Sequence, residues 1–145
     1  MRVLGLDYGS KTIGVAVSDP FLSTALGLET IRRPDEGAIK KSVSRLKEII
    51  SEYDINKIVI GYPKHLNNEE SERCAKTAEF GERLKRNFKN IEIIYFDERL
   101  SSVFAEKELA SAGVKKAKIG EIIDMTAAVV ILQNYLDCSA ANNKT

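Results

Sequence analysis

The chain is poor in the residues that make staples, metal clusters and membrane spans. Its 145 residues include two cysteines, Cys74 and Cys138, and one histidine, His65. No CxxC pair exists, which argues against a zinc ribbon or a thioredoxin-type redox site. Two reduced thiols are expected, as in a cytoplasmic protein. The longest late uncharged run, Met125 to Leu136, is too short to cross a bilayer. Near the start, Asp7 interrupts the apolar run before a signal-peptide core forms. Repeats and low-complexity tracts are missing. An excess of either charge is missing too, because 22 basic against 21 acidic side chains leave a formal charge of +1. That balance argues against a protein that coats any nucleic acid by bulk attraction.

What is present suffices for a folded domain. Hydrophobic residues make up 43% of the chain, which disfavours disorder. The length fits one domain, able to bury about two-thirds of its unfolded surface. One domain is expected over residues 1–138, with 139–145 as a flexible tail.

Apolar runs and turn signals alternate at first. Arg2–Asp7 reads as a buried strand, Tyr8–Thr12 as a turn and Ile13–Ser18 as an antiparallel partner. Asp19-Pro20 marks a turn. Ala25–Arg32 reads as a third strand, with Leu26, Leu28 and Thr30 on one face. After Pro34 the period becomes helical, with Asp35 as N-cap and Ile39, Val43, Leu46 and Ile50 along one stripe, ending near Tyr53. Lys57–Gly61 reads as a strand buried on both faces. A polar loop, Tyr62 to Asn68, precedes a helix that turns Cys74, Ala78, Leu84 and Phe88 inward. Ile91–Phe96 is the next strand. Ser101–Ala112 reads as helix, Val114–Lys118 as a basic loop, and Ile119–Leu136 as a mostly buried last helix. The order β-β-β-α-β-α-β-α-α predicts an α/β fold: a mixed five-stranded sheet, a three-stranded meander followed by α/β units, flanked by helices.

Carboxylates fall at the ends of these elements. Asp7 ends the first strand, Asp97 and Glu98 end the last, and Asp124 sits in the first turns of the final helix. Taken singly, each is an ordinary turn or cap residue. Taken together on one sheet edge, they would repel one another unless cations were bound. Oxygen-only ligands suit Mg²⁺ or Mn²⁺ rather than zinc. Gly5, Gly9 and Gly14 allow the backbone near Asp7 to be approached closely. Alternation puts Asp97 and Glu98 on opposite faces of their strand. Glu98, with the longer reach, is favoured as a ligand, and Asp97 as a residue that orients a neighbour.

Four segments carry a resemblance. Leu4-Gly5-Leu6-Asp7-Tyr8-Gly9-Ser10-Lys11-Thr12-Ile13-Gly14-Val15-Ala16-Val17-Ser18-Asp19 resembles the opening motif of the YqgF (RuvX) family. Ile58–Pro63, Asp97-Glu98-Arg99-Leu100-Ser101-Ser102 and Asp124-Met125-Thr126-Ala127-Ala128 follow in the family's order. The resemblance implies an RNase H-like fold. It also implies a nuclease that matures the 5′ end of pre-16S rRNA or resolves Holliday junctions, with Asp7, the Asp97-Glu98 pair and Asp124 as the acidic site. The chain departs from the pattern at Tyr62, usually Leu, at the loop Lys64–Asn68, where His65 replaces a common Asn, and at Met125, usually Ser. No carboxylate is lost.

The expected chemistry is phosphodiester hydrolysis with two metal ions roughly 3.5–4 Å apart. Asp7 would bridge them, and Glu98 (or Asp97) and Asp124 would each hold one. Lys11 and Arg99 are candidates for substrate phosphate, as are Lys115, Lys116 and Lys118. Arg83, Lys85, Arg86 and Lys89 form a second basic cluster, on a helix face. His65 is read as an idle loop residue and Tyr8 as core. Structured RNA or branched DNA is the expected partner, and the protein would be a monomer or homodimer. Two rivals stand beside this reading. One is an actin-type phosphate-binding fold, opposed by the chain's length. The other is a non-catalytic nucleic-acid-binding module, opposed by the complete acidic set.

Overall fold

The computed structural model describes the backbone of residues 1–35, 37–62, 68–97 and 116–143, and their side chains apart from those of 68–71, 97, 116–125 and 140–143. In chain order the elements are β1 Arg2–Tyr8, β2 Thr12–Ser18, β3 Ala25–Arg32, α1 Lys40–Tyr53, β4 Ile55–Tyr62, α2 Asn68–Asn87, β5 Glu92–Asp97 and α3 Lys116–Asn143. The strands form one sheet in the order β3-β2-β1-β4-β5. β1 pairs antiparallel with β2 and parallel with β4, and β4 pairs parallel with β5. The meander, the mixed sheet and its five strands agree with the sequence pattern. The region read as a helix over Ser101–Ala112 lies outside the described residues.

Alternation along the strands divides the core in two. Leu4, Leu6, Ile58 and Ile60 point toward α1 and α2, where Leu46, Ile49, Phe80, Leu84 and Phe88 meet them. Val3, Ala16, Ala25 and Val59 point the other way, against Ala128, Ile131, Leu132 and Leu136 of α3. β4 is apolar on both sides because it lies inside a sheet covered on both faces. Helix α3 lies unusually close to β1. A Cβ built on Gly5 would stand 2.7 Å from the Leu132 Cβ and 3.2 Å from the Ala128 carbonyl oxygen. The close approach that Gly5 permits is therefore that of a helix. Gln133 pins the same helix to the start of β3, accepting from the Ala25 N–H at 2.9 Å and donating to the Ser23 carbonyl at 2.9 Å.

Four details differ from the sequence reading, each for a local reason. β3 carries a bulge opposite Val15 and Ala16, where Glu29 and Gly27 are the paired residues and Leu28 is the extra one. The extra residue shifts the alternation, so Leu26 and Thr30 do not share a face, and Leu26 is 53% exposed. Asp35 does not cap α1. Its carboxylate and carbonyl both accept from the Ala38 N–H, closing the preceding turn, and the N-cap position falls to Ile39, which has no side-chain cap bond. The inward stripe of α2 is Thr77, Phe80, Leu84 and then Phe88, while Cys74 and Ala78 are half-buried beside it. Finally, α3 begins at Lys116 and runs to Asn143, so it absorbs the end of the basic segment and extends past Leu136.

Candidate active site

The register brings the C-terminal ends of β1, β4 and β5 to one edge. Leu6 is level with Ile60, Ile60 with Tyr95, and Tyr62 with Asp97. Asp7 and Asp97 therefore end strands two places apart, nearly level, with backbones about 10 Å apart across two strand spacings. Asp7 belongs to the alternate row of Val3 and Gly5, beneath α3. Position 97 belongs to the row of Ile93 and Tyr95, which serves the α1–α2 side. Helix α3 runs antiparallel to β1. Tyr135 meets Lys57, which is level with Val3, while Ala128 and Leu132 lie over Gly5 further along. Residue 124, four residues or about 6 Å before Ala128, is thus displaced along the helix toward Asp7. The backbone positions of Asp7, Asp97 and Asp124 converge on one edge. Glu98, Arg99, Lys115 and His65 lie outside the described residues. Lys116 and Lys118 belong to the first turn of α3 rather than to a loop. Among the described side chains, no three of His, Cys, Asp and Glu form a metal-holding group.

Asp7 itself is half-buried. Its antiparallel partner on β2 is Gly14, and Gly61 is the next β4 residue after Ile60. Neither neighbour carries a side chain, and both are buried. A carboxylate such as Asp7 is a hard oxygen donor, which suits a divalent cation such as Mg²⁺ or Mn²⁺.

The turn that follows Asp7 is held by two arginines that the sequence reading did not single out. The Gly9 N–H donates to the Thr12 carbonyl at 2.8 Å, closing the hairpin. The Arg33 guanidinium donates to the Gly9 carbonyl at 2.6 Å, and the Arg33 backbone N–H donates to the Lys11 carbonyl at 2.8 Å. Arg73 donates to the Tyr8 carbonyl at 3.1 Å. The Tyr8 ring stacks on Phe80, centroids 4.3 Å apart, and lies 4.7 Å from the Arg33 guanidinium carbon. Tyr8 is therefore a packing residue, as read. Arg33 is only 6% exposed, and its Nε and Nη1 have no acceptor among the described residues. Its role was legible only through strand register: Thr12 pairs with Arg32, so the next residue must reach the hairpin tip. Lys11 is exposed at that tip.

On the other side of the edge, Tyr62 packs edge-on against Tyr95, centroids 5.4 Å apart. Burial, followed by the adjacent Cys74 thiol, pushes the Tyr62 phenol above its ordinary range and keeps it neutral. The substitution of Tyr for the family's usual Leu is thus absorbed by packing.

A parallel core carrying an antiparallel meander, with acidic positions at the ends of its central and edge strands, defines the class: an RNase H-like fold of the kind found in resolvases. Two solved structures share it. Thermus thermophilus RuvC in complex with a Holliday junction substrate superposes with a TM-score of 0.63 at 15% identity, covering 97% of this chain and 96% of that one. Fowlpox virus resolvase with Holliday junction DNA gives 0.53 at 12% identity, covering 95% and 98%. The chain belongs to the RuvX family, described as Holliday junction resolvase, whose model matches residues 1–138. Among its relatives, the protein named "Putative pre-16S rRNA nuclease" in Agathobacter rectalis is 50% identical over 137 residues, 94% of this chain and 95% of that one. The protein of the same name in Ruminiclostridium cellulolyticum is 46% identical over the full length of both.

Proposed function

We propose that this protein is a divalent-metal-dependent endonuclease that hydrolyses phosphodiester bonds at the 5′ end of pre-16S rRNA, in the cytoplasm. One observation carries the reading: Asp7, beside Gly14 and Gly61, lies near the end of the central strand at the edge where backbone positions 97 and 124 also arrive. The names of the relatives supply the substrate.

Asp7, Glu98 and Asp124 are the residues that would hold Mg²⁺ or Mn²⁺. Glu98 is preferred to Asp97 because its side chain has the longer reach. When bound, the metal supplies positive charge against the scissile phosphate and lowers the pKa of water at neutral pH. The chain's own residues do the rest. Arg33 and Arg73 fix the Tyr8 and Gly9 carbonyls, and so hold Asp7 in place. Lys11 stands exposed at the hairpin tip, where a phosphate oxygen can meet it. Arg99 stabilises charge on the phosphate, and Lys115, Lys116 and Lys118 follow the strand. Water adds to phosphorus and the bond to the leaving 3′ oxygen breaks, leaving a 5′-phosphate and a 3′-hydroxyl.

The family's description favours a second reading, resolution of Holliday junctions. That activity needs two symmetric cuts and therefore a two-fold dimer. A cleavage panel with Mg²⁺ or Mn²⁺, comparing a pre-16S 5′ leader with a four-way junction, decides between them. Cleavage of the leader alone by a monomer supports the first reading. Paired cuts in the junction by a dimer replace it with the second.

A further inference from the structure

The face of the molecule opposite α3 carries a groove that the site above does not use. A cavity of about 580 Å³ is lined by Tyr8, Ile39, Phe80, Arg83 and Arg86, among others of α2. A second, of about 300 Å³, lies between α1 and α2 and is lined by Lys40, Lys47, Arg83, Asn87 and others. Arg83 lines both, so the two lie next to each other along α2. One end of the groove is Tyr8, the residue after Asp7. From there it follows α2 from Ala75 to Phe88, about 20 Å at 1.5 Å per residue.

Its charge is one-sided. Lys40, Lys47, Lys76, Arg83 and Arg86 line it, against the carboxylates of Glu79 and Glu82. Both carboxylates are already engaged. Glu82 takes Lys85 at 3.1 Å, and Glu79 lies 4.0 Å from Lys76. Lys40, Lys47, Arg83 and Arg86 line the groove and form no ion pair with a described residue. The whole chain carries only +1, so this concentration of cations is local. The walls offer few stacking surfaces: Phe80 is 3% and Phe88 9% exposed, and Tyr8 is covered by Phe80 and Arg33. Such a surface matches a phosphodiester backbone and offers little to read bases with.

We propose that the α1–α2 groove binds the sugar-phosphate backbone of the single-stranded RNA that leaves the Asp7 edge, with Arg83 and Arg86 on one wall and Lys40 and Lys47 on the other. The groove thereby holds flanking RNA without reading its sequence. This rests on the nuclease reading for the choice of strand and on the charge and shape of the groove for the site itself.

The test measures binding of a short single-stranded RNA from the pre-16S 5′ leader as a function of salt. The Asp7→Asn background prevents cleavage. Replacing Lys40, Lys47, Arg83 and Arg86 together by Gln should reduce the slope of log K against log salt by about 2.8, at roughly 0.7 for each lost phosphate contact on a single strand. The pair Arg83→Gln and Arg86→Gln, which disturbs the surface less, should lose about half of that. Lys41→Gln, on α1 but outside the groove, should leave the slope unchanged. An unchanged slope in the fourfold variant, or an equal loss in Lys41→Gln, overturns the proposal. The nuclease reading fails separately. If the chain with Asp7 intact cleaves no leader while the slopes still fall as stated, the groove stands and the nuclease does not. If it cleaves and the slopes do not move, the groove falls and the nuclease stands.

Discussion

Asp7 and Gly5 sit two residues apart in β1 and show how one strand serves two purposes. Asp7 ends the row that faces α3, between Gly14 of β2 and Gly61 of β4. Replacing Asp7 by Asn removes the charge but keeps the shape, so cleavage should fall below detection while the melting temperature stays within a few degrees of the parent. Retained cleavage would remove Asp7 from the chemistry. Gly5 has the opposite profile. A methyl group there meets the Leu132 Cβ and the Ala128 carbonyl, neither of which can move without shifting α3. Gly5→Ala should cost about 1–3 kcal/mol, the usual penalty of overpacking, read as a lower midpoint in thermal unfolding. The acidic positions were legible in the sequence because Asp and Glu at strand ends stand out against apolar runs. Arg33 and Arg73 were not legible. They act on backbone carbonyls of the hairpin from residues far along the chain, and only the register of β2 with β3 and the packing of α2 against Tyr8 bring them there.

Among the elements, the strands were easier to read than the ends of the helices. Apolar runs between turn residues located all five strands, and in β1, β2 and β4 burial on both faces removes any competing helical pattern. The bulge at Leu28 left no such mark, since one inserted residue changes facing without changing composition. The end of α3 was equally hidden. Its C-terminal residues, Cys138 to Asn143, are small or polar and carry no apolar period, yet the helix continues through them. The β2–β3 turn shows a polar device at work. Backbone N–H groups of Thr24, then Ser23, donate to the Asp19 carboxylate and hold its pKa below the ordinary 3.8. The folded turn thus prefers the charged form. Its contribution is fully present above the ordinary aspartate value and is lost as pH falls through the lowered one. In an NMR titration the amide signals of Ser23 and Thr24 should shift together, with a midpoint below 3.8. A midpoint at or above 3.8 would contradict the bonding described.

For the whole molecule, a formal charge of +1 conceals a division of labour. Backbone positions 7, 97 and 124 meet at the edge where β1, β5 and α3 arrive, and Lys40, Lys47, Arg83 and Arg86, which form no ion pair among the described residues, line the groove between α1 and α2. Binding should therefore depend on metal at one place and on salt at the other, and near-neutral bulk charge keeps non-specific attraction low. The sheet order β3-β2-β1-β4-β5 puts β1 at the centre, paired on both sides, so the proposed metal ligand Asp7 sits on an interior strand. The most direct test of the account is the cleavage of a pre-16S 5′ leader by the purified chain, with and without Mg²⁺ or Mn²⁺, beside Asp7→Asn. The account predicts cleavage only with metal, 5′-phosphate and 3′-hydroxyl product ends, and none from Asp7→Asn. Metal-independent cleavage, or equal cleavage by Asp7→Asn, would contradict it.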